Sequence, residues 1–336
     1  MMNLNQRPRW QQILIAAAKA GAYLALFLGS QLVVSMVYST LISMRMMLED
    51  PNGFDFQRYA DAVLARSMEI SLVSNLLTLL ILLIVFKARR KKLRNELWLE
   101  AASGLVFGWA AGLAFCLYWT VTLVMTYLPE SWMNDYAEAS SVLDQTGFLT
   151  VLSTAIIGPI AEEVIFRGLI FTRLRRVLPG QWAIVISAAV FGMCHGNFVW
   201  FLYAFSLGLL FAWVTERTGS ILPGTVMHIV FNSTNELAVL LGDETSIVFF
   251  VFILAFGTAG TVFCALQLRN AVPPRKTQAE GSFETGDRTV TVQGSAPESH
   301  PAAPELTVQL EKPARPGQAC WDEDSGPNHR FPPNKL

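Results

Sequence analysis

Charged side chains are scarce in this sequence. Only 15% of the 336 residues are Asp, Glu, Lys or Arg, whereas 52% are hydrophobic and the mean hydropathy is +0.40. An average soluble domain carries about 25% charged residues, so an ordinary soluble globule is disfavoured. The net charge of -1 excludes the large basic field of a nucleic-acid-binding protein, and no nucleic-acid partner is expected.

Cysteine is also rare, and no two cysteines form a CxxC pair. Three of the four lie in apolar stretches, and the fourth lies near the C-terminus: Cys116, Cys194, Cys264 and Cys320. This spacing predicts neither a disulfide framework nor a zinc-finger site.

Long hydrophobic stretches dominate the first four fifths of the chain. A helix that spans a bilayer needs about 20 mostly apolar residues, and eight stretches approach that requirement. They are residues 21–43, 69–86, 102–127, 147–171, 182–197, 198–215, 221–241 and 246–267. The predicted fold class is therefore all-α: a polytopic membrane helix bundle of about eight transmembrane helices, with the lipid bilayer as a partner. Residues 1–267 form this predicted membrane domain.

The distribution of Lys and Arg predicts the orientation, because basic loops stay on the cytoplasmic side of a membrane. Basic residues are concentrated at the N-terminus and in the loops after the second, fourth and sixth stretches. The loop 128–146 lies on the opposite side and holds four acidic residues but no Lys or Arg. An even number of spans, with the N and C termini both cytoplasmic, fits every loop.

The composition changes sharply at about Leu268. Ten of the sixteen prolines follow this point, with mixed charges and few large apolar residues. Such a segment lacks the apolar content to build a core. We therefore predict that residues 268–336 form a disordered cytoplasmic tail, and that its histidines, His300 and His329, take no part in a site.

Two adjacent carboxylates, Glu162 and Glu163, lie near the middle of the fourth stretch. A charged group at bilayer depth is costly, so it is retained where it pairs, faces a cavity or has a function. Glu163 lies four residues before Arg167 and meets it on one helix face, which favours a structural ion pair as part of its role. Glu162 has no such local partner, which favours a function. Pro159 predicts a kink that would open a wet pocket beside this pair.

Histidine occurs only four times, and the other two histidines lie in later apolar stretches. His195 follows Phe191 by four residues at the end of the fifth stretch. His228, Asn232 and Glu236 recur at every fourth residue of the seventh stretch and so share one helix face. An imidazole, an amide and a carboxylate on one membrane helix indicate a site. Glu236 is its weakest member, because a glutamate near the end of a span can instead cap the helix or reach the interface.

These residue types suit hydrolysis by an activated water. A shielded carboxylate can act as general base, while imidazole and amide groups hold the water and stabilise an oxyanion. Two histidines and a glutamate could instead hold zinc with an open position for water, and the ligands would then be Glu162, His195 and His228. The HExxH motif of soluble zinc proteases is absent. The residues alone leave both mechanisms open, with no cofactor favoured and zinc as the alternative.

Three short patterns, in order and in consecutive apolar stretches, resemble the CAAX protease and bacteriocin-processing family of intramembrane proteases. Residues 162–168 read EEVIFRG and resemble its EExxxR motif, residues 191–195 read FGMCH and resemble FxxxH, and residues 228–232 read HIVFN and resemble HxxxN. The resemblance covers about residues 147–240. It implies an intramembrane endopeptidase acting on a membrane-associated peptide or protein substrate, and a prenylated substrate does not follow from it.

The resemblance also implies roles for single residues. Glu162 would activate the water with the help of His195, and His228 and Asn232 would form the oxyanion site. The supporting residues would be Glu163, Arg167 and Phe191. A glutamate-type mechanism is favoured over a metalloprotease, because Asn is a poor metal ligand and a good oxyanion donor. The compact form of the first motif favours a multi-pass protein of a bacterial plasma membrane.

Two other functions compete with the protease. Membrane Glu and His residues also build the proton relays of transporters, but the inverted repeats common in transporters are not evident in this sequence. A non-catalytic scaffold or regulator could keep the same fold. Against it, no residue of the expected site is missing.

Overall fold

The computed structural model describes residues 7–51, 53, 55–141, 147–241, 247–272, 284–285 and 288–289. The chain divides into two compact units, Met1–Arg275 and Lys276–Leu336. The described part of the first unit is helical, with turns and one isolated β-bridge between Leu99 and Ser220. In the second unit, the described residues form two antiparallel two-residue strands, β1 (Glu284–Thr285) and β2 (Arg288–Thr289). Apart from these four residues and the end of the last helix, the predicted disordered tail lies outside the described residues.

The described helices are α1 (Arg9–Glu49), α2 (Phe56–Leu64), α3 (Ser67–Ala88), α4 (Leu93–Glu96), α5 (Gly104–Met125), α6 (Glu130–Ser140), α7 (Phe148–Arg175), α8 (Gly180–Met193), α9 (Phe198–Thr218), α10 (Leu222–Leu241) and α11 (Ile247–Ala271). The helix α7 changes its winding along its length. It is α-helical at Phe148–Thr150, π-helical at Val151–Ile157, α-helical at Gly158–Glu162, π-helical at Glu163–Phe171 and α-helical at Thr172–Arg175.

Five of the described helices are long and apolar enough to cross a membrane: α1, α3, α5, α7 and α9. Each coincides with a stretch predicted from hydropathy, although α1 has 41 residues and begins well before position 21. The helix α8 has 14 residues, and its length of about 21 Å falls short of a hydrocarbon core about 30 Å thick. The helices α10 and α11 coincide with the last two predicted stretches. The count of eight spans and the cytoplasmic placement of the termini stay predictions.

The helix α7 lies at the centre of the bundle. Every residue from Ile165 to Leu174 is buried. The ring of Phe166 packs edge-on against Phe27 of α1 and Phe191 of α8, with centroids 5.7 and 5.0 Å apart. Because protein surrounds this stretch of α7, charged groups on it face other helices.

Loops predicted to share one side of the membrane lie together in the structure. At the basic end, Arg173 is paired with Glu96, and Arg175 Nε lies 2.7 Å from Glu216 Oε1. Burial raises the pKa of the Glu96 carboxyl, but Arg173 and Lys91 outweigh burial and hold that pKa below its usual value. These ion pairs join α4, the end of α7 and the end of α9.

At the opposite end of the bundle, where the described part of the acidic loop 128–146 lies, aromatic contacts join α6 to α9. Trp132 and Tyr136 of α6 pack edge-on against Phe198 and Trp200 of α9, with centroid distances of 5.0 and 5.9 Å. The loops before α7 and before α9, which the Lys and Arg pattern places on the same side, are thereby brought together. The side that faces the cytoplasm stays a prediction.

Candidate active site

Two π-helical stretches of α7 flank the short α-helical turn Gly158–Glu162, and Glu163 is the first residue of the second one. π-Helices are rare and occur frequently at functional sites. Gly158 begins the turn, and its backbone approaches so closely that a Cβ there would lie 2.7 Å from Ser153 O. Pro159 follows in the first turn of the α-helical stretch. The winding of α7 changes on both sides of the proline, Glu162 lies at a cavity wall and Glu163 is fully buried. The kink stays a prediction.

Glu163 and Arg167 form a fully buried ion pair. Arg167 Nη1 lies 2.9 Å from Glu163 Oε1, and both side chains are 0% exposed. Arg167 Nη2 also donates to Gly208 O at 3.3 Å. The guanidinium carbon lies 4.3 Å from the centre of the Phe191 ring, in a cation–π contact. The contact predicted from the four-residue spacing is present, and Phe191 covers the cation.

His228 lies between the two glutamates. Its Nδ1 is 3.2 Å from Glu163 Oε1, and its Nε2 is 3.6 Å from Glu162 Oε2. The ring is buried beside Phe191 and Phe211, at centroid distances of 5.9 and 5.0 Å. Sequence reasoning placed this histidine with the oxyanion amide. The structure places it directly against the carboxylates.

His195 lies just beyond the end of α8, where Gly196 takes a positive φ of 75°. Its Nδ1 is 2.9 Å from Phe191 O. Because a carbonyl only accepts, the hydrogen is on Nδ1, and Nε2 is left for other partners. The ring also contacts Trp200, with centroids 6.4 Å apart. No direct hydrogen bond or ion pair with Glu162 is present among the described residues, so the two predicted partners are related only through the cavity they line.

Asn232 and Glu236 both bind Thr154 of α7. Asn232 Nδ2 donates to Thr154 O at 2.8 Å, and Thr154 Oγ1 lies 2.8 Å from Glu236 Oε1. Sequence reasoning missed Thr154, because a threonine in an apolar stretch is unremarkable. The one available signal was Glu236, four residues after Asn232 on the same face.

The four predicted catalytic side chains line one cavity of about 730 Å³. Thr154 and Glu236 line it as well, and it extends to Tyr136 of α6. A second cavity, of about 700 Å³, lies among α1, α2, α3 and α7. Glu162 and His195 line both cavities. The candidate water-activating residues therefore lie where the two cavities meet.

The choice between a glutamate-type and a zinc mechanism stays a prediction. Within the described ranges, no three His, Cys, Asp or Glu side chains are grouped so that they could hold a metal ion. Of the zinc ligands considered, His228 has its Nδ1 bound to Glu163 and its Nε2 3.6 Å from Glu162, and His195 has its Nδ1 bound to a carbonyl. The Nε2 of each ring is the nitrogen that would face a metal at Glu162.

Comparison with protein families identifies the same part of the chain. Residues 144–234 match the family model described as Type II CAAX prenyl endopeptidase Rce1-like. A Bacillus subtilis (strain 168) protein named putative membrane peptidase YdiL is 33% identical over 85 residues. That alignment covers 25% of this chain and 35% of the relative, so the chain spans about a third of the relative's length. No solved structure matches the chain.

The apolar helices and the buried polar site define a helical, multi-pass membrane protein. The family match falls on the segment that carries the three motifs, and both matches support the resemblance to the CAAX protease and bacteriocin-processing family. The resemblance recognised from the sequence is thereby confirmed.

Proposed function

We propose that this protein is an intramembrane endopeptidase that hydrolyses a peptide bond with a water activated by Glu162. The observation that carries the proposal is the position of this carboxylate. It lies where two cavities meet and has the Nε2 of His228 3.6 Å away. The family match supports a membrane protease, and the bacterial relative favours a bacterial plasma membrane as the location.

Exposure distinguishes the two adjacent carboxylates. The side chain of Glu162 is 25% exposed, whereas that of Glu163 is 0% exposed and neutralised by Arg167. A general base must reach the proton that it removes, directly or through one water. Glu162 meets this requirement and Glu163 does not, so Glu162 is the proposed base and Glu163 supports the site.

The proposed reaction needs only side chains of the cavity. The water oxygen attacks the peptide carbonyl carbon as Glu162 takes a proton from the water. The oxyanion is bound by the Asn232 amide and by His228 Nε2, which donates when the ring carries both protons. When the C–N bond breaks, the proton held by Glu162 is delivered to the leaving nitrogen. The Nδ1 of His195 is bound to the Phe191 carbonyl, which leaves the Nε2 to hold the attacking water.

The two cavities favour cleavage inside a chain over removal of a terminal residue. A peptide whose scissile bond lies at Glu162 can continue into the cavity that reaches α6 and into the one among α1, α2 and α3. An exopeptidase would need one of these directions to be closed. We therefore infer an internal bond in a membrane-associated peptide or protein as the substrate.

The test is peptide cleavage by the purified protein in detergent micelles or liposomes. A peptide mixture is incubated with the protein in ¹⁸O-labelled water, and new C-termini are identified by mass spectrometry. We expect labelled products with the wild type and with the control Glu138→Gln, whose residue is exposed on α6, and none with Glu162→Gln. Identical products from wild type and Glu162→Gln would overturn the proposal.

A further inference from the structure

The structure assigns Glu236 and Thr154 as positioning residues, which hold the Asn232 amide in place for the oxyanion. This inference rests on the proposed function, because it concerns the group that binds the oxyanion there. Asn232 and Glu236 are one turn apart on α10 and bind the same residue of α7. One binds its carbonyl and the other lies against its hydroxyl, so Thr154 ties the two helices together at the site.

The winding of α7 explains why the Thr154 carbonyl is available. In the π-helical pattern a carbonyl bonds the N–H five residues later, and Gly158 N–H is accordingly bonded to Ser153 O. By the same pattern, Thr154 O would bond the N–H of residue 159. That residue is Pro159, which has no N–H. The carbonyl is left to accept from Asn232 Nδ2 at 2.8 Å instead.

This contact fixes the orientation of the amide. A carbonyl only accepts, so the nitrogen of Asn232, and not its oxygen, faces Thr154. The Nδ2 carries two hydrogens, one of which is bound to Thr154. The other remains for the cavity that Asn232 lines. An oxyanion bound there would therefore meet a donor whose direction is set by Thr154.

Glu236 contacts the side-chain hydroxyl of Thr154. The Thr154 hydroxyl lies 2.8 Å from both Glu236 Oε1 and Thr150 O, which compete for its single hydrogen. A glutamine at position 236 can accept from this hydroxyl or donate to it, so it keeps the contact. An alanine removes it and leaves α10 and α7 free to shift by fractions of an ångström. Catalytic groups act only when held within about 0.5 Å of the productive geometry.

The rival role for Glu236 is direct contact with a cationic group of the substrate, since it lines the same cavity. The two roles give different kinetics. A positioning residue acts on the transition state and lowers kcat, whereas a substrate contact made equally in the ground state raises KM. Glutamine should restore the first role and should not replace a carboxylate that binds a cation.

The experiment measures kcat and KM of full-length variants on a peptide found to be cleaved by the wild type. Removing an oxyanion donor outright costs about 10²–10³-fold in kcat, and we expect that loss for Asn232→Ala. We expect Glu236→Ala to lower kcat by about 10-fold or more, within that limit, with KM unchanged. Glu236→Gln should recover most of the rate. In the double variant, adding Glu236→Ala to Asn232→Ala should cause no further loss of kcat, because Glu236 acts through the Asn232 amide.

Each other outcome decides against the inference. An unchanged kcat for Glu236→Ala, or a further loss added to Asn232→Ala, overturns the positioning role. A raised KM that glutamine does not restore assigns Glu236 to substrate binding. If Glu236→Ala does not fold, the pair Thr154→Val and Thr154→Ser gives the same test, with serine expected to recover the rate. Full activity of both Glu162→Gln and Asn232→Ala would instead contradict the proposed function itself.

Discussion

The Nδ1 of His228 lies 3.2 Å from the Oε1 of Glu163. The same oxygen accepts from Arg167, so it acts as an acceptor, and the hydrogen of its contact with His228 is on Nδ1. The Nε2 is then left to face Glu162. The buried glutamate thus holds the hydrogen on His228 Nδ1 and pairs with Arg167, while its neighbour in the sequence, Glu162, lines the cavity.

Glu163→Gln should destabilise the protein, because it leaves the Arg167 cation buried without a counter-charge. Breaking a buried ion pair from one side costs about 3–5 kcal/mol in the free energy of unfolding. Chemical unfolding in detergent measures the loss. The matched control replaces both partners, Glu163→Leu with Arg167→Met, and should recover much of the stability. Wild-type stability for Glu163→Gln would show that the pair contributes no such support.

Glu162→Gln should leave the fold intact and remove the reaction. The side chain is 25% exposed and lies outside the buried ion pair, so its amide costs little stability. Loss of a general base lowers the rate by about 10²–10⁴-fold. Cleavage rate and thermal unfolding are measured on the same preparation, with Glu138→Gln as the control. Cleavage as fast as that of the wild type would exclude Glu162 as the base.

Pro159→Ala should lower kcat although alanine fits a helix well. The substitution supplies an N–H at position 159, which the π-helical pattern directs to Thr154 O. That N–H would compete with Asn232 Nδ2, which donates to the Thr154 carbonyl at 2.8 Å. We expect a folded protein with reduced kcat and an unchanged KM, measured on the same peptide as the wild type. An unaltered kcat would mean that the proline has no part in holding the amide.

The apolar stretches and the three motifs could be predicted from the sequence because each depends on local pattern. Span length, the four-residue spacing of Glu163 and Arg167, and the shared face of His228 and Asn232 all follow from helix geometry. These predictions coincide with described helices, and the match over residues 144–234 falls on the predicted core.

The contacts between helices could not be predicted in the same way. Nothing local turns His228 towards Glu162, which lies on another helix, and nothing marks Thr154 as the residue that Asn232 binds. The π-helical winding of α7 also escaped prediction, because π-helices are rare and no local pattern in this stretch marks one. The short helices α2, α4 and α6 are absent from a hydropathy pattern for a simpler reason, since they do not span the bilayer.

Residues 92 and 131 should lie on opposite sides of the membrane. Lys92 belongs to the basic loop before α4, and Ser131 lies in the first turn of the acidic helix α6; both residues are exposed. In a variant without the native cysteines, Ser131→Cys should react with a membrane-impermeant maleimide in intact cells. Lys92→Cys should react only after permeabilisation, as should Cys320 retained alone. If Ser131→Cys and Lys92→Cys were labelled from the same side of the membrane, the predicted alternation of the loops would be wrong.

A strong chelator should leave the cleavage rate unchanged. The proposed mechanism assigns activation of water to Glu162 and binding of the oxyanion to His228 and Asn232, so removal of metal ions withdraws nothing from the reaction. The measurement compares the wild-type rate before dialysis, after dialysis against the chelator, and after addition of Zn²⁺. Thermal unfolding in parallel distinguishes loss of fold from loss of chemistry. A rate that disappears with the chelator and returns with Zn²⁺, without a change in stability, would replace the metal-free mechanism. Glu162, His195 and His228 would then be the ligands to test, because a zinc-bound water needs three protein ligands and an open fourth position.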